Sequence, residues 1–409
     1  MSDYRPKLRP VEAFPSQRAG GQVMILRDAS GCSDRAVAVP REMLLVLSLL
    51  DGTRTLREAQ VEYVRRSGHL LLSHQIERLM REIEASLLFE GEAFERHLRE
   101  QREQFARLQV RPAAHAGQAY PADAGLLREQ LRSFFAVAAL NNPSSDEERA
   151  ARPAALIAPH IDFGRGGPCY AHAYRHLSES VAPAPGLLVI FGTAHSAPPS
   201  PYILTRKDFA TPLGCARTDT RIVDALELRW PDAHGLYRDE LSHRSEHSIE
   251  FQVVFAQYAL GPERMPPILP VLCSHIACDM AREDRRAEGF LEALRAVLSE
   301  HAPDACVIAG ADLSHIGQRF GDGNPPTSAA LEAAERGDRR LLARAENMDA
   351  DGLLAAARDE TGARNVCGLA PIHALLRVAP AQSGRLLRYE QAVERQTQSM
   401  VSFAAMVFR

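Results

Sequence analysis

The sequence predicts an α/β protein: a layered α/β domain over residues 111–409, preceded by a small winged-helix-like α+β domain over residues 1–110. Three observations carry this reading. After about residue 150, the short apolar runs "AALIAPH", "GLLVIFGTAH", "PPILPVLCS" and "DACVIAGADLSH" alternate with helical stretches, as strands of a sheet covered on both faces do. The chain closes on two strand-like runs, "GRLLRYEQAV" and "SMVSFAAMVFR", which point to mixed strand direction at that edge. The first 110 residues carry instead a hairpin and three amphipathic stretches.

In chain order, "GQVMILRD" and "RAVAVP" read as two strands joined by the turn "ASGCSD". Helices are expected over "REMLLVLSLLDG", "RTLREAQVEYVRRSG" and "SHQIERLMREIEASLLF"; the last spaces Ile76, Leu79, Met80, Ile83 and Leu87 along one face. "GEAFERHLREQREQFARLQ" reads as a polar connecting helix, and "HAGQAYPADAGLLREQLRSFF" as a turn and a helix. "NNPSSDEERAARP" reads as a polar loop. "PCYAHAYRHLSES", with its first helical residue at Pro168, "HRSEHSIEFQVVFAQYAL", "EGFLEALRAVLSEH" and "GLAPIHALLRV" are the helices of the α/β region.

The net charge of -4 leaves no basic excess for a nucleic-acid backbone. No run reaches the roughly 18 apolar residues of a membrane span, and "MSDYRPKLRPVEAF" lacks the apolar core of a secretion signal, so a cytoplasmic protein is expected. Seven scattered cysteines without a C-x-x-C pair argue against a disulfide framework and against a structural zinc ribbon.

Three apolar runs end on a histidine: His160, His195 and His315. In open α/β sheets ligands bind beyond the carboxyl ends of the strands, and neighbouring strands lie about 4.8 Å apart, so these imidazoles can converge. Converging neutral imidazoles suggest a metal, which needs one or two further ligands. Asp312 and Cys367 are candidates; Cys367 precedes a helix whose N-terminus favours its thiolate. Pro159 fixes the backbone before His160, and Gly192 lets the chain leave its strand sharply. Within "HRSEHSIE", His243, Glu246, His247 and Glu250 fall on one face of the expected helix, bordering the pocket as orienting or acid–base groups. Gly164, Gly166 and Gly167 open a helix whose free N–H groups suit an anion, without a nucleotide-binding spacing. Cys273, His275 and Cys278 have metal-binding chemistry but no matching second pair, so packing is expected there.

From about residue 112 onward the chain resembles the Memo family, known in bacteria as AmmeMemoRadiSam system protein B. The resemblance rests on "HAGQAYPAD", "LIAPHIDFGRGG", "VIFGTAHS", "FATPLGCARTD", "EHSIEFQVVF", "GADLSHIG", "CGLAPI" and "SMVSFAAMVF". It implies a fold similar to class III extradiol dioxygenases, and it implies His160, His195 and Cys367 as metal ligands. His315, Asp312 and His247 would be catalytic groups in the same pocket, with His315 as acid–base and Asp312 orienting it. Ile161 and Asp162 depart from the family's usual small residue and glycine. Thr193 and Ala194 stand where it usually has proline and serine. A cysteine in the third ligand position makes the site softer than the two-histidine, one-carboxylate set of the ring-cleaving enzymes, so Fe(II) or copper is expected, then zinc. The family's company implies a radical S-adenosylmethionine enzyme and a small protein as partners.

Residues 8–90 resemble the pyrroloquinoline-quinone peptide chaperone, on Leu26–Asp28 and "VLSLLDGTRTLREA". That resemblance implies a peptide ligand for the first domain. The expected function is therefore a metal-dependent, dioxygenase-like redox enzyme. The alternatives are a non-catalytic metal- and peptide-binding module that recruits substrate to a partner enzyme, and metal-assisted hydrolysis on zinc.

Overall fold

The computed structural model describes residues 4–18, 21–28, 31–33, 35–141, 145–230, 232–275, 277–278, 286–359 and 364–409. Two compact units divide the chain, Met1–Arg107 and Leu108–Arg409; the sequence reading puts this division at 110 and 111.

In the first unit, β1 (Val11–Arg18), β2 (Gly21–Asp28) and β3 (Ala36–Pro40) form an antiparallel sheet in the order β1-β2-β3. Strand β1 was not legible in the sequence, whose hairpin comprised β2 and β3 alone. The turn expected between those two includes Ala29, Ser30 and Asp34, which lie outside the described residues. Helix α1 (Leu44–Leu47) is a single turn; α2 (Leu56–Ser67) and α3 (Ser73–Ala85) are full helices. Thr55 and Glu58 cap α2 reciprocally, and Gly68 ends it in the left-handed region at φ 71°. Ile76, Leu79 and Ile83 pack from α3 against Leu26, Val37 and Val39 of the sheet. The polar helix α4 (Glu92–Ala106) follows.

The second unit opens with β4 (Val110–Arg111), α5 (Ala124–Asn141) and the short α6 (Asp146–Ala150). The sequence reading made the last of these part of a polar loop, of which residues 142–144 lie outside the described residues. Then come β5 (Ala155–Ala158), α7 (Phe163–Ser178), β6 (Leu188–Thr193), β7 (Tyr202–Leu204), β8 (Asp208–Thr211), β9 (Gly214–Ala216), α8 (Thr220–Arg229) and α9 (His247–Leu260). The chain closes with β10 (Ile268–Cys273), α10 (Arg286–His301), β11 (Cys306–Gly310), β12 (Asp312–Gly317), α11 (Ser328–Glu346), α12 (Ala350–Asp359), α13 (Leu369–Val378), β13 (Gly384–Glu394) and β14 (Ser399–Phe408).

The large sheet runs β12-β14-β5-β11-β6-β10-β7, with β13 also on β14. Strands β5, β11, β6 and β10 are parallel, whereas β7, β14, β12 and β13 pair antiparallel to their neighbours. Successive side chains of a strand serve opposite faces. In β6, Val189 and Phe191 enter the core shared with α8, α10, α11, α12 and α13, while Leu188 and Ile190 enter the core shared with α5, α7 and α9. The result is a three-layer α/β/α arrangement, which is why these strands read as unbroken apolar runs.

Helix α7 begins at Phe163, with Asp162 as its cap, so Pro168 lies inside it and not at its first turn. Gly167 has no Cβ to clash with the proline ring, so the helix continues through that step. The Asp162 carboxylate accepts the Arg165 N–H at 3.2 Å and thus occupies the end that the sequence reading offered to an anion. Among the described residues, no helix is long and apolar enough to cross a membrane.

Candidate metal centre

Strand order places His160 and His195 beyond β5 and β6, the two strands that flank β11. Helix α9 drops its N-terminus, bearing His247, onto these strand ends. Gly192 and Gly310 permit this: a Cβ at Gly192 would lie 2.6 Å from Ser248 Oγ, and one at Gly310 would lie 2.6 Å from the Ser248 carbonyl. Gly192 therefore serves close packing inside β6, and not the sharp exit expected from sequence. Ser248 Oγ donates to the Thr193 carbonyl at 3.0 Å and Gln252 Nε2 to the Pro159 carbonyl at 2.7 Å, tying α9 to both histidine-bearing ends.

One nitrogen each of His160, His195 and His247 lies within 4.8 Å of the other two. Cys367 joins them from the residue before Gly368, the cap of α13. Its Sγ is 3.1 Å from His160 Nε2 and 4.0 Å from His315 Nε2. The three histidines thus form one group, Cys367 adjoins it at His160, and His315 adjoins Cys367; four partners fix these imidazoles. His160 Nδ1 donates to the Gly310 carbonyl at 2.9 Å, and His315 Nδ1 faces the Leu313 and Asn365 carbonyls at 3.0 and 3.1 Å. His195 Nδ1 lies 3.1 Å from both oxygens of Glu246, and His247 Nδ1 lies 3.2 Å from one of them. Each ring keeps Nε2 as its remaining nitrogen.

Glu246 is the group whose part the sequence reading saw only loosely. The helix starts at His247, so Glu246 is its cap: the carboxylate accepts the backbone N–H of His247 and Ser248 at 2.9 and 3.0 Å, and that of His195 at 3.0 Å. The four residues read as one helical face separate accordingly. His243 lies in a preceding turn, Glu240–Arg244, with Nε2 donating to the Ile203 carbonyl at 3.0 Å. Glu250 faces away from the histidines toward Arg111; both side chains are fully buried. Arg111 also donates to the carbonyls of His243 and Glu246 at 2.5 and 2.7 Å, while Glu250 accepts the N–H of Ala114 and His115 at 3.0 Å and the Tyr120 hydroxyl. The "HAGQAYPAD" stretch is thereby clamped to the start of α9. Neither the Arg111 pairing nor this clamp was visible in sequence, because its partners lie more than a hundred residues apart.

Asp312 does not orient the His315 ring. Its Oδ1 accepts the backbone N–H of His160 at 2.8 Å and of Ile161 at 3.2 Å, so it fixes the loop that carries His160. Phe320 covers His315 edge-on, with ring centroids 4.8 Å apart. Cys273 and Cys278 are buried while His275 is exposed, in keeping with packing.

The electrostatics follow from these contacts. Burial works against a charged Cys367, but the His160 and His315 imidazoles beside it hold its thiol well below the usual range. Burial likewise pulls His160 down, and the Cys367 and Asp312 charges outweigh it, pushing the imidazole up to about 9. Burial takes His247 down to about 3, reinforced by its cationic neighbours against Glu246. A cysteine sulfur beside imidazoles whose Nδ1 atoms are already held is a donor set able to hold a metal ion.

A sequence model of Memo-like proteins matches residues 111–407. The chain belongs to the Memo family. A MEMO1 family protein of Aquifex aeolicus is 29% identical over 404 residues, covering 99% of this chain and 100% of that protein. One of Thermus thermophilus is 30% identical over 356 residues, covering 87% and 99%. A Methanopyrus kandleri relative is 29% identical over 310 residues, 99% of itself but 73% of this chain, a length that fits the second unit without the first.

Proposed function

We propose that this Memo-family chain is a metal-dependent redox protein whose ion is held by His160, His195 and Cys367, with His247 as the adjoining nitrogen donor. The common tautomer carries the reading: each imidazole at the site has Nδ1 against a carbonyl or carboxylate, which leaves Nε2 for a metal. Bound iron or copper would supply one-electron and Lewis-acid chemistry, zinc the latter alone. The protein's own groups do the rest. Asp312 holds the His160 loop, and Glu246 orients His195 and His247. His315 stands beside Cys367 with Nε2 available to take or give a proton, under the apolar cover of Phe320. The likeness to extradiol dioxygenases, the radical S-adenosylmethionine partner and a peptide ligand on the first unit belong to the same proposal, on the strength of resemblance alone.

A second reading has its own observation. If His247 joins the other three as a ligand, four protein donors close a tetrahedral site, which suits a metal-binding module without turnover. Metal content and spectra after anaerobic purification separate these outcomes. The wild type should carry one transition metal per chain, and His160→Ala and Cys367→Ala should lose it with the fold retained. Added azide should perturb the metal spectrum of an open site and leave that of a closed one unchanged. A wild type without stoichiometric metal would sink both readings.

A further inference from the structure

Asp312 and His315 pose a geometric problem. They are three residues apart on β12, and on a regular strand such residues face opposite sides of the sheet. Both nevertheless reach the metal centre. The pairing with β14 shows how: Asp312 lies opposite Phe403 and His315 opposite Val401, so Leu313 and Ser314 together face Ser402 alone. This is a β-bulge, and it turns the two side chains to the same side.

The bulge is held from the far side by one carboxylate. Asp338 of α11 is fully buried. Its Oδ1 accepts the Ser314 hydroxyl at 2.6 Å, and its Oδ2 accepts the Ser402 hydroxyl at 2.5 Å, so both strands of the bulge are tied to it. Ser402 Oγ in turn accepts the Ser314 N–H at 2.9 Å, taking up a backbone group at the irregular step. Arg364 Nη1 donates to Asp338 at 2.6 Å and to Ser314 Oγ at 2.9 Å. The next residue, Asn365, accepts the backbone N–H of His315 at 3.1 Å, and two residues later comes Cys367. The Gly368 N–H then closes onto the Asp312 carbonyl at 3.0 Å. Tyr389 of β13 also donates to Asp338, at 2.9 Å, and its hydroxyl lies beside Ser402, while Ser314 and Arg364 reach Asp338 without it.

We propose that Asp338 is the positioning residue of the metal centre: through Ser314, Ser402 and Arg364 it sets the β-bulge that aims Asp312 and His315 and anchors the loop that carries Cys367. The inference deepens the metal reading and rests on it for its purpose, though the bulge itself can be tested without metal. It also accounts for a buried carboxylate whose partners are two hydroxyls, a guanidinium and a phenol. Only an acceptor can satisfy two hydroxyls and a guanidinium at once.

The test compares Asp338→Asn and Ser314→Ala with Tyr389→Phe, which removes one Asp338 contact but leaves those to Ser314, Ser402 and Arg364 in place. Peptide-resolved hydrogen exchange on metal-free protein should show the His315 and Gly368 amides opening about tenfold more readily in the first two variants, with β6 and β11 unchanged. Cobalt(II) titration, read by the thiolate-to-metal band, should weaken by about tenfold in the same two. Tyr389→Phe should leave both measurements at the wild-type level. If Asp338→Asn does not fold, Ser314→Ala decides. Wild-type exchange at both amides in a folded Ser314→Ala protein would overturn the inference, as would equal effects from Tyr389→Phe. A wild type that takes up no cobalt would defeat the metal reading, while the exchange pattern would still judge the bulge.

Discussion

Glu246 and Glu250 are one helical turn apart, both buried, and they serve different purposes. Glu246 caps α9 and turns its carboxylate to two imidazoles of the candidate metal centre. Glu250, one turn in, turns away to Arg111 and fastens the entry of the chain into the second unit. Burial works against the charge of Glu246, yet the His195 and His247 rings and the N–H groups of the helix start hold it well below the usual carboxylate range. Spacing of four therefore does not decide role. What decides it is the helix start between the two: a residue before that start has its carboxylate over the exposed N–H groups, and a residue after it points along a helix flank.

The largest expected effect breaks the Glu250 side. Removing one partner of a fully buried ion pair leaves an unpaired charge and costs about 3–5 kcal/mol. Arg111→Met and Glu250→Gln should each lower the unfolding free energy of the second unit by that order, read by denaturant titration. The metal affinity of whatever remains folded should change far less. A Glu250→Gln protein of wild-type stability would erase the contrast.

Next comes the Glu246 side. Orienting partners of ligating histidines typically change metal affinity by about 10–100-fold when mutated. Glu246→Gln keeps the cap's acceptor oxygen but cannot accept from His195 and His247 together. It should weaken metal binding by that order with a smaller loss of stability, measured by competition with a chelator. Equal losses in stability from Glu246→Gln and Glu250→Gln would show that both are merely structural.

Much of this was legible beforehand, and the illegible parts share a physical cause. The strand-end histidines were readable because parallel strands buried on both faces leave unbroken apolar runs, and the residues just after such a run must sit at the sheet's carboxyl edge. Cys367 was readable because Cys-Gly before an apolar helix marks a helix start. The helix start at His247 was not: "HRSEHSIE" keeps a helical spacing of polar residues straight through it, and only the tertiary contact of Glu246 with His195 sets the boundary. The bulge at Ser314 was hidden for the same reason, since its proposed determinant, Asp338, lies 24 residues further on, in a helix packed against that strand. Asp312 was assigned to His315 by proximity in sequence, whereas the fold hands it to His160, 152 residues away.

The smallest effect sharpens the Glu250 side through pH. His243 gives its carbonyl to Arg111 and its ring N–H to Ile203, and it is buried. Burial takes its imidazole down to about 3 from an ordinary 6.5, only partly offset by the Ile203 bond. The unfolded chain therefore binds a proton over a range in which the native state does not. The stability His243 contributes is present above pH 6.5 and is lost as the pH falls toward 3. At pH 5.5 that loss is about 1.4 kcal/mol, one pH unit below the unfolded value. His243→Gln removes the titration while keeping a side-chain donor toward Ile203. The difference in unfolding free energy between pH 7 and 5.5 should shrink by that amount in the variant, with metal affinity at pH 7 unchanged. An identical pH dependence in variant and wild type would mean that the ring protonates freely in the native state, and that the Arg111 side of the helix start is wetter than its contacts imply.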